Sequence, residues 1–314
     1  MVINMNLKKI ISDILTILVV AIMVGLSELL GEREIIFPEI TAIAIGLLIA
    51  PTRSWQVSKA RILILISLCS IIGLMISIFV PLPLWLKISM AFIICQFIFI
   101  FSKTTFAPMI SAAVLPVMLG TKNIIYPVAA ITLTGLIILC NLLLEKLKIK
   151  ENEPYIPQPL PKIKDYFDLI IRSLAAVIYI TLAIKLNFYF AVAPPVLVAF
   201  TEFTRQSCKV RQKPLKTIVM IFICALTGTA CRYILTVQLG LLLTFSAVAA
   251  TVIMIVILHL FKMYLPPAGA LTILAMLIPK ENLLLYPIEI FVGISVFMAL
   301  ALLLFKSKHQ KAIT

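Results

Sequence analysis

The stretch "YLPPAGALTIL", residues 264–274, sets two adjacent prolines inside an uncharged apolar run. Proline lacks an amide donor and its ring clashes with the preceding turn, so it is disfavoured inside a helix but suits the first helical turn. The spacing therefore predicts a helix that starts at Pro266-Pro267, preceded by an extended piece. Whether that helix lies in water or in lipid is decided by the rest of the chain.

Of 314 residues, 62% are hydrophobic and 13% are charged. A soluble domain is nearer half apolar and a quarter charged. The apolar residues come in runs, not stripes, which reads as a polytopic membrane protein. Residues 10–30 are too long for the apolar region of a signal peptide, and no small-residue cleavage site follows them. Twelve segments approach the ~20 residues that cross a bilayer. They are 10–30, 35–50, 62–82, 84–102, 104–120 and 124–145, then 166–185, 188–204, 217–236, 239–260, 263–279 and 283–305. Each is expected to be helical, because open strands cannot span lipid.

Lysine and arginine orient the spans. With the N-terminus in the cytoplasm, 20 of them fall on the cytoplasmic side and 6 on the other, with Arg172 inside a span. A rival count makes segments 5 and 11 re-entrant and leaves ten crossings. It moves the basic clusters at 146–164 and 205–216 to the wrong side, so twelve spans with both termini cytoplasmic is the expectation. The net charge of +14 is then mostly a belt facing anionic lipid. No aromatic-interleaved basic patch points to nucleic acid.

The chain repeats itself. At an offset of 155, Asp13 matches Asp168, Cys69 matches Cys224 and Gly73 matches Gly228. At 159, Pro108 matches Pro267; at 160, Tyr126-Pro127 matches Tyr286-Pro287. The fold class expected is therefore all-α, with two parallel six-helix repeats at 10–145 and 166–305. A proline-rich cytoplasmic linker joins them at 146–165.

The second repeat, about 166–305, resembles the HPP family of integral membrane proteins. The likeness rests on "PPVLVAFTE" (194–202), the basic loop after it, "ALTGTACRYIL" (225–235) and "LPPAGALTILAML" (265–277). Pro266, Pro267, Gly269 and Ala270 match the family's His-Pro-Pro pattern, and Leu265 stands where that pattern has histidine. "FAPMISAAVLP" (106–116) is a degenerate counterpart in the first half. The resemblance implies a transporter of a small, nitrite-like anion.

Candidate site residues follow. A helix starting at Pro266-Pro267 offers the first-turn amides of Ala268, Gly269 and Ala270 to an anion, with Thr272 adding a hydroxyl. Pro108 and Ser111 form the counterpart. Charges inside spans are costly, which marks Glu39 and Glu202 as proton- or cation-coupling candidates and Arg172 as an anion attractor. Arg172 also stands four residues from Asp168, a helical spacing at which the two can pair. "EITAIAIG" (39–46) and "APPVLVAFTEFT" (193–204) carry the small residues of close helix packing. Two histidines and six scattered cysteines make no zinc pattern, and no enzyme motif is present, so no cofactor, metal or catalytic group is expected. The expected partners are the lipid bilayer and a small anionic solute, with a homo-oligomer left open. The setting is a bacterial-type plasma membrane. The alternative is a non-transport membrane protein, either a structural partner or a lipid-handling enzyme.

Overall fold

The computed structural model describes residues 5–205 and 208–305. Among the described residues every regular element is helical. Eight helices are long and apolar enough to cross a membrane. These are α1 (Met5–Leu30), α3 (Lys59–Phe79), α4 (Leu84–Phe101), α6 (Ile125–Lys146), α7 (Ile163–Lys185), α9 (Pro214–Cys231, continued by a π stretch Arg232–Gln238), α10 (Leu243–Phe261) and α12 (Tyr286–Leu304). Half or less of each apolar stretch is buried. Leucine, isoleucine and valine face outward on them, for instance Leu18, Leu68, Leu226 and Val256. Apolar side chains left exposed around the whole circumference are what lipid solvates. The chain is an integral membrane protein.

Four short helices complete the set: α2 (Glu39–Ala44, continued by a π turn Ile45–Ile49), α5 (Met109–Leu119), α8 (Pro194–Thr204) and α11 (Pro266–Leu274). The order long, short, long recurs four times along the chain. The segments at 35–50, 104–120, 188–204 and 263–279, expected as full helical spans, instead hold these short helices. The nine residues of α11 rise only about 14 Å, against a hydrocarbon core of ~30 Å. Proline sets each limit. Pro38 and Pro108 are the N-caps of α2 and α5, while Pro194-Pro195 and Pro266-Pro267 open α8 and α11. The residue before a proline is pushed out of the helical region; Ala193 (φ −52°, ψ 148°) and Leu265 (φ −100°, ψ 107°) are extended.

The short helices are the core. Every residue of α8 and α11 is buried, as is every residue from Glu39 to Ile49. α2 packs on α11 and α5 on α8, with α3, α9 and α12 lying against α5, α11 and α8 respectively. Glycine permits the closest of these contacts. A Cβ on Gly73 of α3 would lie 2.2 Å from the Ala113 carbonyl oxygen of α5, and one on Gly228 of α9 would lie 2.1 Å from that of Thr272 of α11. The Tyr126 hydroxyl donates to Ala112 O at 2.9 Å, and that of Tyr286 donates to Leu271 O at 2.6 Å. Phe37 meets Tyr126 edge-on at 5.9 Å, and Phe190 meets Tyr286 edge-on at 5.6 Å.

Buried helix ends need partners for their free carbonyl and amide groups, and charged side chains supply several. Arg232 donates to Ala275 O at 2.6 Å and to Ile278 O, closing the end of α11. Lys150 donates to Ala50 O at 2.9 Å and to Leu47 O, closing α2. Glu28 of α1 accepts the amides of Leu243 and Thr244 at the start of α10. The 146–165 linker is more than a connector. Besides Lys150, Glu153 accepts the Arg53 amide at 3.1 Å, and the Tyr155 hydroxyl and the Gln158 amide both donate to Lys103 O at 2.9 Å. It is a strap across one face of the first half.

Candidate functional site

The start of α11 is where the sequence places it, at Pro266-Pro267, but it offers fewer donors than expected. Both prolines lack N–H, and the Ala268 amide donates back to Leu265 O at 3.1 Å. Gly269 does not open onto a ligand space either: a Cβ there would lie 2.3 Å from Ile45 Cδ1 and 3.0 Å from Thr41 Cγ2. Thr272 spends its hydroxyl on Cys224 O (3.2 Å) and Ala268 O (3.0 Å). Pro267, Ala268, Gly269, Ala270 and Thr272 are thus the buried seam of α11 against α2 and α9. The physical reason is that α2, read as a full span of its own, is a short helix laid against this seam.

The same seam brings two other candidates together. Glu39, the first residue of α2, accepts a hydrogen bond from Ser111 in the first turn of α5. Pro108 caps the start of that helix. The N-terminal ends of two short helices therefore meet at one carboxyl group, which is 1% exposed. Glu39 Oε2 and Thr41 Oγ1 are buried without a hydrogen-bond partner among the described residues. Most buried polar oxygens have a partner, so each of these is an exception that marks the junction as a polar spot in an apolar core.

Two cavities lie at the ends of α11. The first, of about 710 Å³, reaches Leu265 and Pro266 and is lined by Arg53, Arg205, Lys213 and Lys262, with Glu202 as its one carboxylate. Glu202 Oε1 accepts the Trp55 indole N–H at 2.8 Å. Cys208 also lines this cavity; burial pushes its thiol up to about 11, which leaves it protonated and unreactive near neutrality. The second cavity, of about 410 Å³, reaches Leu274, Leu277 and Ile278 and carries Arg33 and Glu34. Between them α11 is closed by Gly269 against Thr41 and Ile45.

Arg172 belongs to neither cavity. It lies in a third, of about 400 Å³, bounded by the ends of α4 and α8, the start of α7 and the strap; Arg205 borders both this and the 710 Å³ cavity. Its Nε donates to Thr204 Oγ1 at 2.8 Å and its Nη1 to Gln96 Oε1 at 2.7 Å. Gln96 in turn donates to Thr201 Oγ1 at 2.8 Å. The i, i+4 pairing with Asp168 is not made: among the described residues no ion pair within 4.0 Å joins them.

Three features escaped sequence reasoning. Trp55 is 2% exposed, packs on Gly46 and Phe106 and holds Glu202; a lone tryptophan in a polar loop was its only signal. Gln96 is a lone amide inside the apolar run of α4, and that isolation was readable. His259 of α10 was considered only as a metal ligand. It bridges Asp13 of α1 (Nε2 to Oδ2, 3.0 Å) and the Tyr264 hydroxyl (3.1 Å). Among the described residues no three His, Cys, Asp or Glu side chains converge as metal ligands would. His309 lies outside the described residues. No family model, curated protein or solved structure matches this chain.

Proposed function

We propose that the protein is a secondary transporter or facilitator for a small anion, acting in a bacterial-type plasma membrane. The observation that carries this reading is the placement of α11 between two cavities. Its proline-marked start borders the larger one, with four cationic side chains and one carboxylate, and its last residues border the other. A short helix of about 14 Å separating two water-accessible hollows needs only small movements to pass a solute from one to the other. Cationic walls in a low-dielectric frame concentrate anions. The nitrite-like substrate is carried by the HPP resemblance, and family membership is part of the same proposal.

In this reading each short helix and its extended approach complete one crossing. That gives twelve crossings with both termini cytoplasmic, in agreement with the distribution of lysine and arginine. Two six-element repeats are supported by paired contacts at the offsets seen in the sequence. Gly73 on Ala113 answers to Gly228 on Thr272, and Tyr126 on Ala112 O answers to Tyr286 on Leu271 O. Within each half the order long, short, long, twice, is that of a three-element inverted repeat. Glu39 is the coupling group of the first half, where two helix starts meet. Its counterpart position at the same junction of the second half, near Pro195 and Ala270, is apolar. Glu202 gates the basic cavity through Trp55.

Proteoliposomes containing the purified protein test the reading. Uptake of nitrite and related small anions is expected above that of empty vesicles, with Lys213→Ala/Lys262→Ala slowing it several-fold. No protein-dependent flux for any of them would refute transport.

A further inference from the structure

The third cavity carries an inference independent of transport. Arg172 is 6% exposed, and its described hydrogen-bond partners, Gln96 and Thr204, are both neutral. A buried guanidinium is stable only when its charge is compensated. Among the described residues its carboxylate neighbours Asp168 and Asp165 act on it only from beyond 4.0 Å, the Phe305 ring centre lies 5.9 Å away, and the residues outside that set contain no aspartate or glutamate. Arg172 instead faces the cavity of about 400 Å³, with Lys103, Lys164 and Arg205 around it. Asp165 and Asp168 line it as well, so the cations exceed the carboxylates by two. Asp165 already accepts the Lys162 amide at 2.7 Å, and Thr104, Thr105 and Thr204 complete the lining with their hydroxyls engaged by Ser102, Gln56 and Thr201.

The surroundings indicate where the ligand comes from. Phe101 and Phe167 beside the cavity are 59% and 60% exposed, and Tyr166 stacks edge-on against Phe101 at 6.4 Å. Tyr166, 37% exposed at the start of α7, is an aromatic ring with a polar tip of the kind that marks the headgroup level. The strap residues Gln158, Pro159 and Pro161 also line the cavity. The cavity therefore opens where an anionic lipid would present its phosphate, and basic pockets between membrane helices on the cytoplasmic side take such groups.

We propose that the Arg172 cavity is a phosphate-binding site that takes the headgroup of an anionic phospholipid, with the guanidinium at its floor and Lys103 and Lys164 at its rim. Occupancy would fix α4 and α7 to the strap and so secure the cytoplasmic side of the first half to the second.

Native mass spectrometry of the detergent-solubilised protein, titrated with phosphatidylglycerol or phosphatidylcholine, tests this. Phosphatidylglycerol is expected to bind more tightly. The rim variant Lys103→Ala/Lys164→Ala should weaken it roughly 30-fold, from about fivefold per surface charge. Arg172→Gln should abolish the preference. The rim pair guards the test against misfolding of the buried variant, because neither lysine is buried. Inorganic phosphate is added as competitor: displacement of the lipid assigns the site to phosphate from any source, and no displacement assigns it to the lipid. Equal binding of the two lipids, or full affinity in the rim variant, would overturn the proposal. The readout is binding, so a failure of transport leaves it standing.

Discussion

Gly228→Ala is the sharpest test of the packing that shapes the core. An added Cβ would sit 2.1 Å from Thr272 O, 3.0 Å from the Thr272 carbonyl carbon and 3.0 Å from Ala275 Cβ. Ordinary contact begins near 3.4 Å, so α9 and α11 must part by about 1.3 Å. The nearest obstructing atom is backbone of a fully buried helix, and the Ala275 methyl beside it has no rotamer by which to swing aside. That shift would stretch the Thr272–Cys224 hydrogen bond of 3.2 Å beyond use and loosen the surrounding seam. Overpacking of this kind costs about 1–3 kcal/mol, and the upper end applies where backbone must move. Gly135→Ala is the matched control. It lies inside α6, where an added Cβ meets nothing within 4 Å, so the same substitution should stabilise by about 0.5–1 kcal/mol through helix propensity. Thermal unfolding in one detergent, followed by a thiol-reactive dye or by light scattering, compares the two. The melting temperature of Gly228→Ala should fall by several degrees while that of Gly135→Ala rises or holds. Equal melting temperatures for the two variants would refute the reasoning, because the argument rests on the seam and not on glycine as such.

Four further outcomes are expected. Trp55→Phe leaves the buried Glu202 carboxyl without its indole donor and should cost about 1–3 kcal/mol; Glu202→Gln combined with it should recover part of that loss in the same melt. Burial lowers the Lys150 ammonium to about 8, below its ordinary 10.5. Its charged form therefore costs stability at all pH below about 8, and the cost is relieved as pH rises from 8 towards 10.5. The melting temperature of the wild type should rise over that window relative to Lys150→Met, and parallel curves would count against the burial argument. Glu39→Gln keeps an acceptor for Ser111 but removes the titrating group, so anion uptake should lose its dependence on an imposed pH gradient; an unchanged dependence moves coupling elsewhere. The deficit of Lys213→Ala/Lys262→Ala in uptake rate should shrink as salt increases, because the screening length falls from ~30 Å at 0.01 M to ~8 Å at 0.15 M.

The sequence announces some of these features and conceals others for physical reasons. Membrane class, the long apolar helices and the start of α11 at Pro266-Pro267 are legible, because composition and proline geometry act locally. The lengths of α2, α5, α8 and α11 are not. A helix buried in protein and a helix buried in lipid are equally apolar, so hydropathy cannot separate them. Gly269 reads as room for a ligand, yet the room is taken by Ile45 and Thr41 from a distant segment. Arg172 offers itself to Asp168 at helical spacing, while the fold gives it Gln96 and Thr204 from two other helices. Glu39 and Ser111, picked singly, turn out to touch. Contacts across 72 residues leave no trace in local pattern.

Two of the short helices also depend on distant parts of the chain to complete their hydrogen bonding. During synthesis a long helix such as α1 or α3 can partition into the bilayer alone, since all of its backbone is satisfied within itself. The segment around α11 cannot. Its extended approach through Tyr264 and Leu265 is held to the helix by the Ala268 amide on Leu265 O, and the carbonyls at its far end depend on Arg232, just beyond α9. Likewise α2 depends on Lys150, a hundred residues downstream. These two short helices complete their hydrogen bonding only when the segments that carry their partners are in place. The end of α2 is complete only when Asn141 of α6 reaches Leu47 O and Lys150 of the strap reaches Leu47 O and Ala50 O.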